Sequence, residues 1–175
     1  MSVTCYLPFQ VDNEEIQQNM KEFQTLCLTQ EPRLRQCVVP PQKAHITLLV
    51  LHLEDQRLEE AKIMFEEMCR DHFSKDDIFD VEFEGVGTFG SRVLFAKPRG
   101  NIDRIIKMSE SFQSKYSCEY QLNPHLTLMK VKGKGLKKIP RTSYEGLEDY
   151  KFGIQSFKKI QFLSMTKPAT KVNIL

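Results

Sequence analysis

The stretch Ala44-His45-Ile46-Thr47-Leu48-Leu49-Val50-Leu51 decides the reading of this chain, because Pro124-His125-Leu126-Thr127-Leu128-Met129 echoes it 80 residues later. Each copy follows a proline-containing loop and opens an apolar run that reads as a strand. Side chains alternate faces along a strand, so His45 and Thr47 share one face, and His125 and Thr127 share one face. Ile46, Leu48 and Val50 point the other way, as do Leu126 and Leu128. Each strand thus starts with one polar pair amid apolar neighbours. A buried polar group without a partner costs about 1–3 kcal/mol, so the two pairs call for a shared ligand between two pseudo-symmetric lobes. By the same alternation His52, seven residues from His45, is expected on the opposite face.

Working outward, residues 3–11 alternate as a first strand. Asp12 then caps a helix, with Glu15 completing a capping-box pattern and Ile16, Met20, Phe23 and Cys27 on the buried face. A second helix is expected over 57–73, with Leu58, Ala61, Phe65, Met68 and Cys69 inward and His72 near its end. Phe79, Val81 and Phe83 mark a strand, 93–97 another before Pro98 stops it, and Ile102, Ile105, Ser109, Phe112 and Tyr116 a third helix. A strand over 126–131, a short helix over 143–150 and strands over 154–157 and 160–165 complete the pattern. Several neighbouring strands are joined by turns too short for parallel crossovers. The expected class is α+β, two mostly antiparallel sheets flanked by helices around a central cleft. No linker divides the halves, so residues 1–175 read as one domain of two interleaved lobes.

The polar pairs suit a phosphodiester. In-line cleavage needs a base for the incoming oxygen and an acid for the leaving one, on opposite sides of phosphorus. Two imidazoles with ordinary pKa values of about 6.5 supply one neutral and one protonated member near neutral pH. The hydroxyls of Thr47 and Thr127 can donate to the non-bridging oxygens, where charge accumulates. This scheme needs no metal and no cofactor, and no His or Cys set has zinc-ligand spacing.

Composition bounds the rest. A net charge of +2 says little, but no acidic residue falls between Glu119 and Glu145, where Lys130, Lys132, Lys134, Lys137, Lys138 and Arg141 lie. This is either a solvated loop or a rim that attracts phosphates, and charge alone does not separate the two. Five scattered cysteines without C-x-x-C spacing read as small hydrophobes of a reducing compartment. No secretory leader or membrane-spanning run is visible, which suggests an intracellular, cytoplasmic or nuclear monomer.

Ala44-His45-Ile46-Thr47-Leu48, Gly85-Val86-Gly87-Thr88-Phe89-Gly90, the run from Asn123 to Lys130, and Leu163-Ser164-Met165 together resemble the 2H phosphoesterase superfamily, related to the bacterial 2′-5′ RNA ligase-like proteins. The finer resemblance is to the branch holding the central domain of an A-kinase anchoring protein and the related domain of leukocyte receptor cluster member nine. It implies a bilobal fold with both histidines at the floor of the cleft. It also implies substrates with a 2′ linkage, either 2′,3′-cyclic phosphate ends or 2′-5′ oligoadenylates. It puts Thr88 and Phe89 near the cleft, where Phe89 either stacks on a base or packs in the core. Lys130 is a further candidate for substrate binding. The glycine string spells G-x-G-x-x-G, but a strand follows it where a dinucleotide site needs a helix, so it reads as a hairpin. No kinase-anchoring helix is expected, since the sequence ends soon after the last expected strand. The rival to an enzyme is a nucleotide- or RNA-binding module that keeps the motifs with little turnover.

Overall fold

The computed structural model describes residues 2–72, 78–133, 135–165 and 172–174. Among these the strands are β1 (Ser2–Gln10), β2 (His45–Glu54), β3 (Phe79–Phe89), β4 (Val93–Arg99), β5 (Leu126–Lys130), β6 (Lys151–Phe157), β7 (Ile160–Ser164) and β8 (Val172–Ile174). The α-helices are α1 (Glu14–Gln30), α2 (Leu58–His72) and α3 (Ile102–Lys115). One sheet has the order β2-β1-β7-β8 and the other β5-β4-β3-β6. Every pairing is antiparallel, but only β3 and β4 are joined by a tight turn.

Each sheet carries one helix that the chain order would give to the other. α1 follows β1 but lies on the second sheet, where Phe23 meets Tyr150 and Phe152 edge-on and Asn19 Nδ2 donates to the Phe152 carbonyl. α3 follows β4 but lies on β2, and α2 joins it there through Phe65, which stacks on Phe112 and touches Phe162 of β7. Phe9 of β1 meets Phe79 of β3 and Phe157 of β6, so one apolar core runs between the sheets. Truncating a ring such as Phe23 or Phe65 would cost about 3–5 kcal/mol.

Several expectations are corrected. The cap of α1 is Asn13, whose Oδ1 accepts from the Ile16 amide at 3.0 Å, while Asp12 accepts from Gln155 Nε2. β4 runs through Pro98 to Arg99, because its pairing with β5 ends at Ala96 and the missing N–H faces no neighbouring strand. No helix forms over 143–150, where a short 3-10 turn, Arg141–Ser143, gives way to irregular backbone. The carbonyls of Glu148 and Tyr150 are used instead to accept from Val86 and Gly85, at the irregular step of β3. β8 answers to no expected strand, and Phe73, expected in the second helix, lies outside the described residues. The five cysteines are unbridged, four of them buried, and burial pushes the thiols of Cys27 and Cys69 up to about 12. Among the described residues no helix is long and apolar enough to cross a membrane.

Candidate active site

The two His-x-Thr segments share a local structure that simple alternation does not give. In the β1–β2 ladder Pro8 opposes Thr47 and Leu7 opposes Leu49, so Leu48 is one residue too many. In the β4–β5 ladder Phe95 opposes Thr127 and Leu94 opposes Met129, so Leu128 is the extra residue. Both strands bulge immediately after the threonine. A bulge leaves one residue unopposed and resets which side chains share a face.

The reset has two consequences. His52 opposes Thr4 and His45 opposes Gln10, so both histidines lie on the same face, against the expectation from parity. His52 is nevertheless remote, about 20 Å along six residues of β1, and its Nδ1 contacts Thr4 Oγ1 at 3.2 Å. Lys130 opposes Val93, which shares its face with Phe95, so Lys130 lies on the face of Thr127 and His125. Without the bulge it would point away.

The imidazoles are held alike. His45 Nδ1 lies 2.8 Å from the Lys43 carbonyl, and His125 Nδ1 lies 2.7 Å from the Asn123 carbonyl, each two residues back. A carbonyl only accepts, so Nδ1 carries the proton in both rings and Nε2 is left for chemistry. Burial holds the His45 pKa below the ordinary imidazole range, and charge on His125 lowers it further, against the opposing bond to Lys43. That influence of His125 on His45 puts the two rings within electrostatic reach. Tyr6, whose ring centroid is 5.6 Å from that of His45, was missed in the sequence because nothing there pairs β1 with β2. Burial raises its pKa, so it stays a phenol.

On the other side, Phe89 stacks on Phe95 at 4.5 Å and presents its edge to His125 at 4.8 Å. Phe95 also meets His125, at 5.5 Å, and is a second residue that the sequence reading omitted. Phe89 is 39% exposed, which removes the core alternative. Thr88 opposes Leu94 and therefore faces away from His125, so the structure does not bring it to the histidines. The glycine string ends in the expected hairpin, turning at Gly90 with φ +58°. Gly87 sits beneath Phe95, and a Cβ there would lie 2.6 Å from its Cζ. The lysine-rich segment flanks the same hairpin, since Val131 and Ile139 donate to the carbonyls of Arg92 and Ser91; Lys134 lies outside the described residues.

Two antiparallel sheets, each carrying one bulged His-x-Thr strand, make up here the α+β fold of the 2H phosphoesterase superfamily. Within it, the chain belongs to the family of the AKAP7 2'5' RNA ligase-like domain, whose model matches residues 3–173. It is 30% identical over 185 residues to A-kinase anchor protein 7 isoform gamma of Homo sapiens, covering 93% of this chain and 52% of that protein. The chain thus spans about half the length of that relative. The fold is similar to E. coli LigT complexed with NADP+, with a TM-score of 0.65 and 12% identity over 100% of this chain and 96% of that one. It is also similar to the MHV ns2 PDE domain, with a TM-score of 0.60 and 12% identity over 94% of this chain and 100% of that one.

Proposed function

We propose that this chain is a phosphodiesterase hydrolysing RNA-type phosphodiesters that involve a 2′ oxygen, either 2′,3′-cyclic phosphate ends or 2′-5′ linked oligoadenylates. The observation that carries this is the matched pair of imidazoles, each with Nδ1 tied to the carbonyl two residues back and Nε2 unbonded among the described residues. Membership of a 2'5' RNA ligase-like family supports the substrate class.

His45, whose pKa burial lowers, serves as the base. Its Nε2 takes a proton from water as the water oxygen attacks phosphorus. The bond from phosphorus to a ribose oxygen breaks, and His125 Nε2–H protonates that oxygen. Thr47 and Thr127 donate to the non-bridging oxygens, and Phe89 offers an exposed ring to a base. Lys130, on the same face, draws the phosphate in. No metal and no cofactor enters this scheme, and one domain acting as a monomer suffices for it.

The second reading, a nucleotide-binding module with little turnover, is favoured by the name of the human relative, an anchor protein. Incubation with 2′,3′-cyclic nucleotides, 2′-5′ triadenylate and a 3′-5′ control, in excess EDTA and with products identified, separates the two. Turnover of a 2′-linked substrate alone is the expected result. Binding without product would favour the module, and loss on chelation restored by a divalent ion would overturn the metal-free scheme.

A further inference from the structure

The two bulges raise a question of mechanics. A bulged residue leaves its carbonyl outside the regular ladder, and a buried carbonyl needs a donor. The Leu48 carbonyl accepts from Ser109 Oγ of α3 at 2.6 Å. The Leu128 carbonyl accepts from Gln24 Nε2 of α1 at 3.0 Å and from the Val39 amide at 3.1 Å. Ser109 is 0% and Gln24 3% exposed, so these polar groups sit in the apolar core for a purpose that packing does not supply.

Each group also reaches a second target. Gln24 Nε2 gives its other hydrogen to the Val39 carbonyl at 2.8 Å, in the segment that leads into His45. Ser109 Oγ accepts from Gln113 Nε2 at 3.0 Å, and Gln113 Oε1 accepts from the Tyr120 amide at 2.9 Å, in the segment that leads into His125. The pattern is reciprocal. One helix ties the bulge beside Thr127 to the approach of His45, and the other ties the bulge beside Thr47 to the approach of His125.

We infer that Gln24 and the Ser109–Gln113 pair are positioning residues, a crossed brace that fixes the separation and aim of the two His-x-Thr strands. This rests on the reading of His45 and His125 as the reacting pair. The chemistry at each position is specific. A single amide NH2 serves two carbonyls at Gln24, which neither Met nor a glutamate anion can do. A hydroxyl that donates and accepts at once is needed at Ser109.

The test uses the whole chain. Gln24→Met, Ser109→Ala and Gln113→Leu each remove one link. Gln155→Met removes an equally buried glutamine that bonds Asp12, the Asn13 amide at the start of α1 and the Ser156 carbonyl but neither bulge, and serves as the control for stability loss. The first readout is the NMR titration of the His45 imidazole in the free protein, with His125→Ala as reference. Because burial and the charge of His125 both press that titration downward, a loosened brace should move it upward, toward the value in His125→Ala. The control should leave it in place. The second readout is kcat against KM for a 2′,3′-cyclic nucleotide, where kcat should fall about 10-fold or more with KM little changed. If Ser109→Ala fails to fold, the half-buried Gln113→Leu reads the same link. Unmoved titration in all three variants, or a shift matched by Gln155→Met, overturns the brace whatever the activity. A shifted titration in a protein without turnover keeps the brace and removes the enzyme.

Discussion

Replacing Gly87 by Ala is the sharpest perturbation the structure offers, because one methyl group meets one ring. The new Cβ would stand 2.6 Å from Phe95 Cζ and 2.9 Å from Cε2, where ordinary contact begins near 3.4 Å. The ring edge must therefore retreat by about 0.8 Å. Phe89 stacks on that ring at 4.5 Å and His125 meets it at 5.5 Å, so the displacement passes to the site. Overpacking of this kind costs about 1–3 kcal/mol, and a misplacement of about 1 Å can cost up to 10²-fold in rate. Urea denaturation and kcat/KM on a 2′,3′-cyclic nucleotide measure the two effects. In a Phe95→Leu background the stability penalty of Gly87→Ala should largely vanish, since its cause has been removed. Gly90→Ala is the contrast: its Cβ would meet nothing within 4 Å, but its φ of +58° charges a left-handed penalty of about 1 kcal/mol that Phe95→Leu cannot relieve. A Gly87→Ala protein with wild-type stability and rate, or a penalty that persists without the Phe95 ring, refutes the reasoning.

Four further outcomes are expected. His45→Ala and His125→Ala should each lower turnover by about 10²-fold or more, with the double variant little worse, while His52→Ala stays near wild type because it is remote; equal damage at His52 would dismiss the assignment. Thr47→Val and Thr127→Val keep the β-branched shape and should each cost about 10²–10³ in kcat with the fold intact by circular dichroism, and wild-type kinetics would return that threonine to packing. His45 should titrate below about 6.5 and move up in His125→Ala. Since the fold disfavours its charged form, the unfolded chain takes the proton first as pH falls, so stability should drop from about 6.5 down to the folded value and less so in His45→Gln. Finally, Lys137→Glu with Lys138→Glu should weaken oligonucleotide binding and flatten its salt dependence, yet spare a mononucleoside cyclic phosphate; equal losses on both would indicate a damaged site.

The sequence shows its helices well because their apolar faces repeat at the helical period, and Ile16, Met20, Phe23 and Cys27 are all buried as that period requires. The paired histidines were legible for a different reason, since each motif is local and its strand parity holds between His45 and Thr47. Parity fails one residue later. Nothing in Thr47-Leu48-Leu49 or Thr127-Leu128-Met129 announces a bulge, because any apolar residue can fill it and the groups that bond its carbonyl, Ser109 and Gln24, lie far along the chain. Hence His52 was assigned the wrong face. Thr88 follows plain alternation, opposing Leu94 while Phe89 opposes Val93, so the two neighbours face opposite ways. The segment around Glu148 shows tertiary pairing overriding local helix preference.

The crossing of helices and sheets also dictates a timetable. During synthesis α1 is complete long before Phe152, the ring that Phe23 packs against, and Cys5 of β1 must wait for Ser164 of β7. At about 5–20 residues per second the finished first helix waits roughly 6–24 s for that ring, and until then its apolar face lacks part of the sheet it covers. The nascent helix therefore keeps an apolar face exposed until the second sheet is complete. The yield of the chain on expression should respond to translation speed and temperature more steeply than that of a protein whose helices settle on the strands made beside them.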